Sequence, residues 1–139
     1  MCGLINGLLG REGDMTEILE FLVRYCAFLW SKGRYRITES EAAASFGGDA
    51  YLIVSSDKLR MRFVRDRGQL FLDFQEFAAA GKEDWYSIDL LYRIVMGERR
   101  ESSILNEEYA AFLREFLDKI ESLFADGSVC LTSRSVYVI

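Results

Sequence analysis

KLRMRFVRDRGQLFLDF, residues 58–74, alternates apolar and polar side chains on both sides of Asp66-Arg67-Gly68. Leu59, Met61 and Phe63 fall on one face, and Lys58, Arg60 and Arg62 on the other. Beyond the turn, Leu70, Leu72 and Phe74 renew the apolar face. A period of two marks a half-buried β-hairpin, and Gly68 supplies the positive φ that a tight hairpin turn needs. This stretch decides the fold class. It also sets five positive charges, Lys58, Arg60, Arg62, Arg65 and Arg67, within ten residues of an acidic chain.

Working outward, AYLIVS (residues 50–55) is a strand, preceded by a turn at 45–49. A further strand runs from Tyr35 to Glu41, with Tyr35 and Ile37 on one face. Four strands on short connections form an antiparallel meander, because parallel neighbours need long crossovers. Upstream, Asp14 and Glu17 have capping-box spacing. A helix is expected from Met15 to about Lys32, stopped by Gly33. It is apolar over most of its circumference and must be covered on more than one side. It either lies between the sheet and another helix or joins two subunits.

Downstream, residues 78–81 read as a short helical turn or loop. Ser87 is positioned to cap a helix from Ile88 to Met96 that ends at Gly97. Residues 98–105 read as polar and exposed, and Asn106 caps an amphipathic helix from Glu107 to about Ala125. The β-prone residues 128–139, SVCLTSRSVYVI, add an edge strand, cross the sheet or pair with another subunit. The expected architecture is one α+β domain over residues 1–139. It is an antiparallel four- to five-stranded meander sheet packed on one face by about three helices. The order is α-β-β-β-β-α-α, with or without a final strand.

Composition narrows the function. The net charge of −5 argues against nucleic-acid or anionic-membrane partners, and fits a basic protein partner. Histidine is absent, which removes Ser-His-Asp, Cys-His and His-metal chemistry. Proline is absent too, where average usage would give about 7 residues, so the turns rest on Gly, Asn, Asp and Ser. Cys2, Cys26 and Cys130 are odd in number and widely spaced, unlike a zinc site or disulfide framework. Cys26 reads as a small core residue, and a reduced, cytoplasmic setting is expected. MCGLINGLLGREGD does not read as a signal peptide. No segment approaches the ~20 apolar residues that span a bilayer. An enzyme here would need carboxylates, Lys, Tyr, Cys or a cofactor. No catalytic, metal or cofactor residues are assigned.

The candidate partner-binding face comprises Arg60, Arg62, Phe71, Asp73, Trp85 and Tyr86. Arg favours bidentate contacts to carboxylate or phosphate, and aromatics are common interface anchors. The plain alternative is a solvated outer face that discourages edge aggregation. Its cross-strand ion pairs would contribute roughly 0.2–1 kcal/mol each. One register sets Arg62 opposite Asp73, the other Arg60. For Phe71 the alternative is cover by the C-terminal segment, and for Trp85-Tyr86 it is pinning of the helix entry to the core. The glycines near Phe46 are no phosphate loop, since G-K-[ST] is missing.

Over residues 35–97, SFGGDAYLIVSSDKLRMRFVRDRGQLFLDF followed by DWYSIDLLYRIVMG resembles small uncharacterised bacterial α+β proteins. Some of these are similar to immunity proteins of polymorphic toxin systems. The resemblance implies a cytoplasmic inhibitor that occludes a toxin domain and needs no active site. Met1-Cys2-Gly3 resembles the start of glutamine amidotransferases with an N-terminal nucleophile. That likeness ends after three residues, so Cys2 is assigned no catalysis. The leading expectation is a non-catalytic protein-binding domain. The alternative is a small-ligand-binding or enzymatic domain with a pocket between sheet and helices. A homodimer through the helix from Met15 to Lys32 or through the C-terminal strand is a third.

Overall fold

The computed structural model describes residues 15–31, 33–43, 49–79 and 84–125. The expectations that rest on Asp14, Lys32, residues 44–48 and 80–83, Cys2, Cys130 and the 128–139 segment lie outside them. Helix α1 (residues 15–25) and the short α2 (Phe28–Ser31) lead into strand β1 (Arg36–Ala43). Then follow β2 (Asp49–Ser55), β3 (Leu59–Asp66), β4 (Gln69–Glu76) and a 3-10 turn (Phe77–Ala79). The two-residue β5 (Tyr86–Ser87) precedes α3 (Ile88–Met96) and α4 (Glu107–Ala125).

The sheet is an antiparallel meander in the order β1-β2-β3-β4-β5, so the expected α+β architecture holds. The hairpin register sets Asp66 opposite Gln69, leaving Arg67 and Gly68 as a two-residue loop. Both loop residues have positive φ, 53° and 80°, the requirement of a turn that follows the sheet's twist. Glycine meets it without strain. Arg67 tolerates it while its backbone N–H donates to Asp49 Oδ1 at 3.2 Å.

Alternation places Leu52, Val54, Leu59, Met61, Phe63, Leu72 and Phe74 on the helix side, where all are buried. Ile18, Leu22 and Leu29 cover them from α1 and α2, Ile88 and Leu91 from α3, and Leu113, Ile120 and Phe124 from α4. Asn106 caps α4 by accepting the Tyr109 N–H at 2.9 Å. Ser87 has the extended backbone of a cap, yet its side chain makes no capping bond. Gly97 ends α3 in the left-handed region.

Three expectations need correction. The first helix is not continuous to Lys32: it breaks at Cys26-Ala27, where Leu29 and Trp30 donate to the carbonyls of Cys26 and Ala27. Among the described residues the sheet and the other helices do not cover it all round, since Leu19 is 41% and Val23 74% exposed. Its buried stripe is Ile18, Phe21 and Leu22. Ile37, set opposite core-side Val54, shares the face of buried Tyr35 but is itself 48% exposed. The segment 98–105 is mostly exposed, but Leu105 is buried and its N–H donates to the Leu70 carbonyl at 2.7 Å.

Candidate functional site

The other sheet face is a grid whose rows follow from the register. One row runs Ser55, Arg60, Gln75; the next Glu39, Ile53, Arg62, Asp73, Ser87; the third Glu41, Tyr51, Val64, Phe71. The register that sets Arg62 opposite Asp73 is the one adopted. The two ends of this face differ in chemistry.

At the first end the cations are engaged. Arg62 Nη2 donates to Asp73 Oδ2 at 3.0 Å. Arg60 donates to Gln75 Oε1 at 2.5 Å and lies 3.7 Å from the Glu39 carboxylate. The Trp85 ring roofs both guanidinium groups, with centroid distances of 5.2 Å to Arg60 and 4.3 Å to Arg62. Such stacking suits the weakly hydrated guanidinium plane. Beneath it Gln75 is 1% and Ile53 4% exposed. Thr38 and Ser55 share a hydroxyl hydrogen bond at 2.9 Å. Little of the positive charge remains for an outside anion.

At the second end lies an open groove of about 860 Å³. Its floor comes from Tyr51, Val64 and Phe71, all half-buried, and its rim from Glu41, Asp49, Asp66, Asp73, Asp89 and Ser103. Two guanidinium groups, Arg62 and Arg65, line it against five carboxylates. Arg62 is bound to Asp73, and Arg65, turned toward the helices, lies 3.2 Å from Glu17. Asp89, in the first turn of α3, holds Oδ1 buried without a hydrogen-bond partner. The Tyr51 hydroxyl is shared between Glu39 Oε1 (2.9 Å) and Glu41 Oε2 (3.2 Å). The Glu39 hydrogen bond is the main reason its pKa is pushed up to about 12, with partial burial and Glu41 adding.

The structure brings Arg60, Arg62, Phe71, Asp73 and Trp85 to one face. Tyr86 is elsewhere: it pairs with core-facing Phe74, and its ring lies 6.0 Å from Phe124. Neighbouring strand residues point to opposite faces, so Trp85 roofs the outer face while Tyr86 pins the helix entry. Arg65 also leaves the expected cluster, for it falls on the helix side. Sequence reading missed Glu41, Tyr51, Val64 and Asp89. Alternation in AYLIVS could have placed Tyr51 outside, but which strands flank it is a matter of register.

Other titratable groups have structural roles. Arg34 ties the start of β1 to α4, lying 3.5 Å from Asp118 and 3.2 Å from buried Glu121. Burial pushes the Cys26 thiol up to about 12, which leaves it unreactive at neutral pH. Among the described residues no group of three or more Cys, Asp or Glu is placed to hold a metal ion. No helix among them is long and apolar enough to cross a membrane. No family model, curated protein or solved structure matches the chain.

Proposed function

We propose that this chain is a non-catalytic protein-binding domain that engages its partner through the outer sheet face. The observation that carries the reading is the open groove of about 860 Å³, spread over five strands and rimmed by carboxylates. A protein surface can enter such a groove. The net charge of −5 favours encounter with a basic partner. With the resemblance over residues 35–97, the partner is a toxin domain and the chain a cytoplasmic, immunity-type inhibitor that acts by occlusion.

A second reading has one observation in its favour. The groove's volume lies within the roughly 300–1,000 Å³ of small-molecule sites. Its openness argues the other way, since such sites bury most of their ligand.

The test is purification from native cells under mild conditions, followed by reconstitution with the partner that is identified. A stoichiometric complex is expected, with the partner's own activity suppressed at one-to-one ratio. A chain that emerges alone, and whose melting temperature rises with a cell-derived small molecule, would replace this reading with the second.

A further inference from the structure

We propose that the open end of the outer face is the docking site for an extended segment of the partner with a basic residue near each end and apolar residues between. It rests on the protein-binding reading above, and adds where the partner sits and what chemistry it presents.

Glu41, Tyr51, Val64 and Phe71 are direct neighbours across β1, β2, β3 and β4. At about 4.8 Å between strands, that row is about 14 Å long. β5 pairing ends at Ser87 opposite Asp73. Two residues later, Asp89 rims the groove where the chain has turned into α3. From Glu41 to Asp89 is therefore about four strand spacings. An extended chain at about 3.3 Å per residue covers it with roughly six residues.

The row's ends are acidic and its middle is apolar. Tyr51, Val64 and Phe71 offer two aromatic rings and an aliphatic side chain, half-buried and facing the groove. Glu41 and Asp89 stand at the ends, and Asp49 and Asp66 alongside. The cations that could neutralise them are committed: Arg62 to Asp73 and Trp85, Arg65 to Glu17. An anionic occupant would face uncompensated carboxylates. An apolar one would desolvate them without supplying a counter-charge, which is unfavourable. A guanidinium or ammonium beside Asp89 instead meets a carboxylate whose buried Oδ1 has no partner of its own. Phe71 lines the same groove, and its ring face offers a cation a second kind of attraction. Charge complementarity and the length of the row thus select the same occupant.

The probe is a blocked hexapeptide, acetyl-Arg-Thr-Leu-Val-Thr-Arg-amide, titrated into the full chain and followed by amide chemical shifts. Its counterpart carries Glu at both ends. The Arg-ended peptide should move the amides of Tyr51, Val64 and Phe71, and the Glu-ended one should not. Glu41→Gln/Asp89→Asn should raise Kd about tenfold. The control Glu107→Gln/Glu115→Gln removes the same charge from exposed positions of α4, and should change Kd less than about twofold. Melting curves check that both variants fold. Equal weakening in the two double variants, or shifts mapping away from the row, would reduce the binding to a general field effect and overturn the site. An identified partner whose complex survives Glu41→Lys/Asp89→Lys would overturn the site while leaving the protein-binding reading intact. The absence of any partner complex strikes that reading itself.

Discussion

The two ends of the outer sheet face share strands, alternation and exposure to the same side, yet they are finished differently. Around Arg60 and Arg62 each guanidinium has an acceptor within the chain, Gln75 for Arg60 and Asp73 for Arg62, and Trp85 closes over them. Around Phe71 and Asp89 the aromatic floor faces an open groove, and among the described residues that line it the carboxylates outnumber the cations. The lesson is that a cluster of charge in the sequence marks where partners are needed, not where they come from. In the densest cationic run of the chain, Arg60, Arg62 and Arg65 are each held by an acidic or amide side chain of the same chain. The acidic groove, gathered from β1, β2, β4 and α3, is the unfinished part.

Truncating the roof should have the largest effect. Trp85→Ala uncovers two guanidinium groups and should cost about 2–3 kcal/mol in urea unfolding, less than for a core aromatic because the ring is only half-buried. A loss below about 1 kcal/mol would mean the roof is decoration. Next comes Gln75→Ala, which takes an acceptor from Arg60 in a buried setting. Its expected cost is about 1–2 kcal/mol by the same measurement.

At the open end the order of effects reverses. Phe71→Ser should cost under about 1 kcal/mol in stability, yet abolish peptide binding in the titration above. A stability loss matching Trp85→Ala would place Phe71 in the fold rather than in the site. Asp49→Asn and Asp66→Asn together should shift stability by no more than about 0.5 kcal/mol.

The smallest effect is a pH dependence at Tyr51. Its pKa is raised from the ordinary 10.0 to about 12, so the folded state holds the hydroxyl proton more tightly than the unfolded chain does. The stabilisation is fully present below pH 10, and is lost as pH rises from 10 through 12. Tyr51→Phe has no such proton to lose. Its melting temperature should fall less than the parent's over that window, and parallel curves would remove Tyr51 from the account.

The hairpin, β2 and the helices from Ile88 and Glu107 were legible in the sequence because each is written locally. Leu59, Met61 and Phe63 need only alternation, and Asn106 only the N–H three residues on. Trp85 and Tyr86 were legible as a pair but not as a division, since β5 is two residues long and carries no periodicity. The exposure of Val23 and Ile37 was hidden for a related reason. An apolar side chain records what could be buried, and how far the helical layer extends is settled by packing among distant segments.

The sequence by itself determined the alternating sheet, the α+β class, the turn at Arg67-Gly68 and the exclusion of histidine chemistry. These follow from side-chain period, backbone φ and composition, which act over a few residues or none. Only the tertiary structure decided that Arg62 meets Asp73, that Trp85 covers both arginines, and that Glu41, Tyr51, Phe71 and Asp89 share a groove. Those groupings join residues 10 to 48 positions apart. A slip of one residue in register would turn every one of these side chains to the other face.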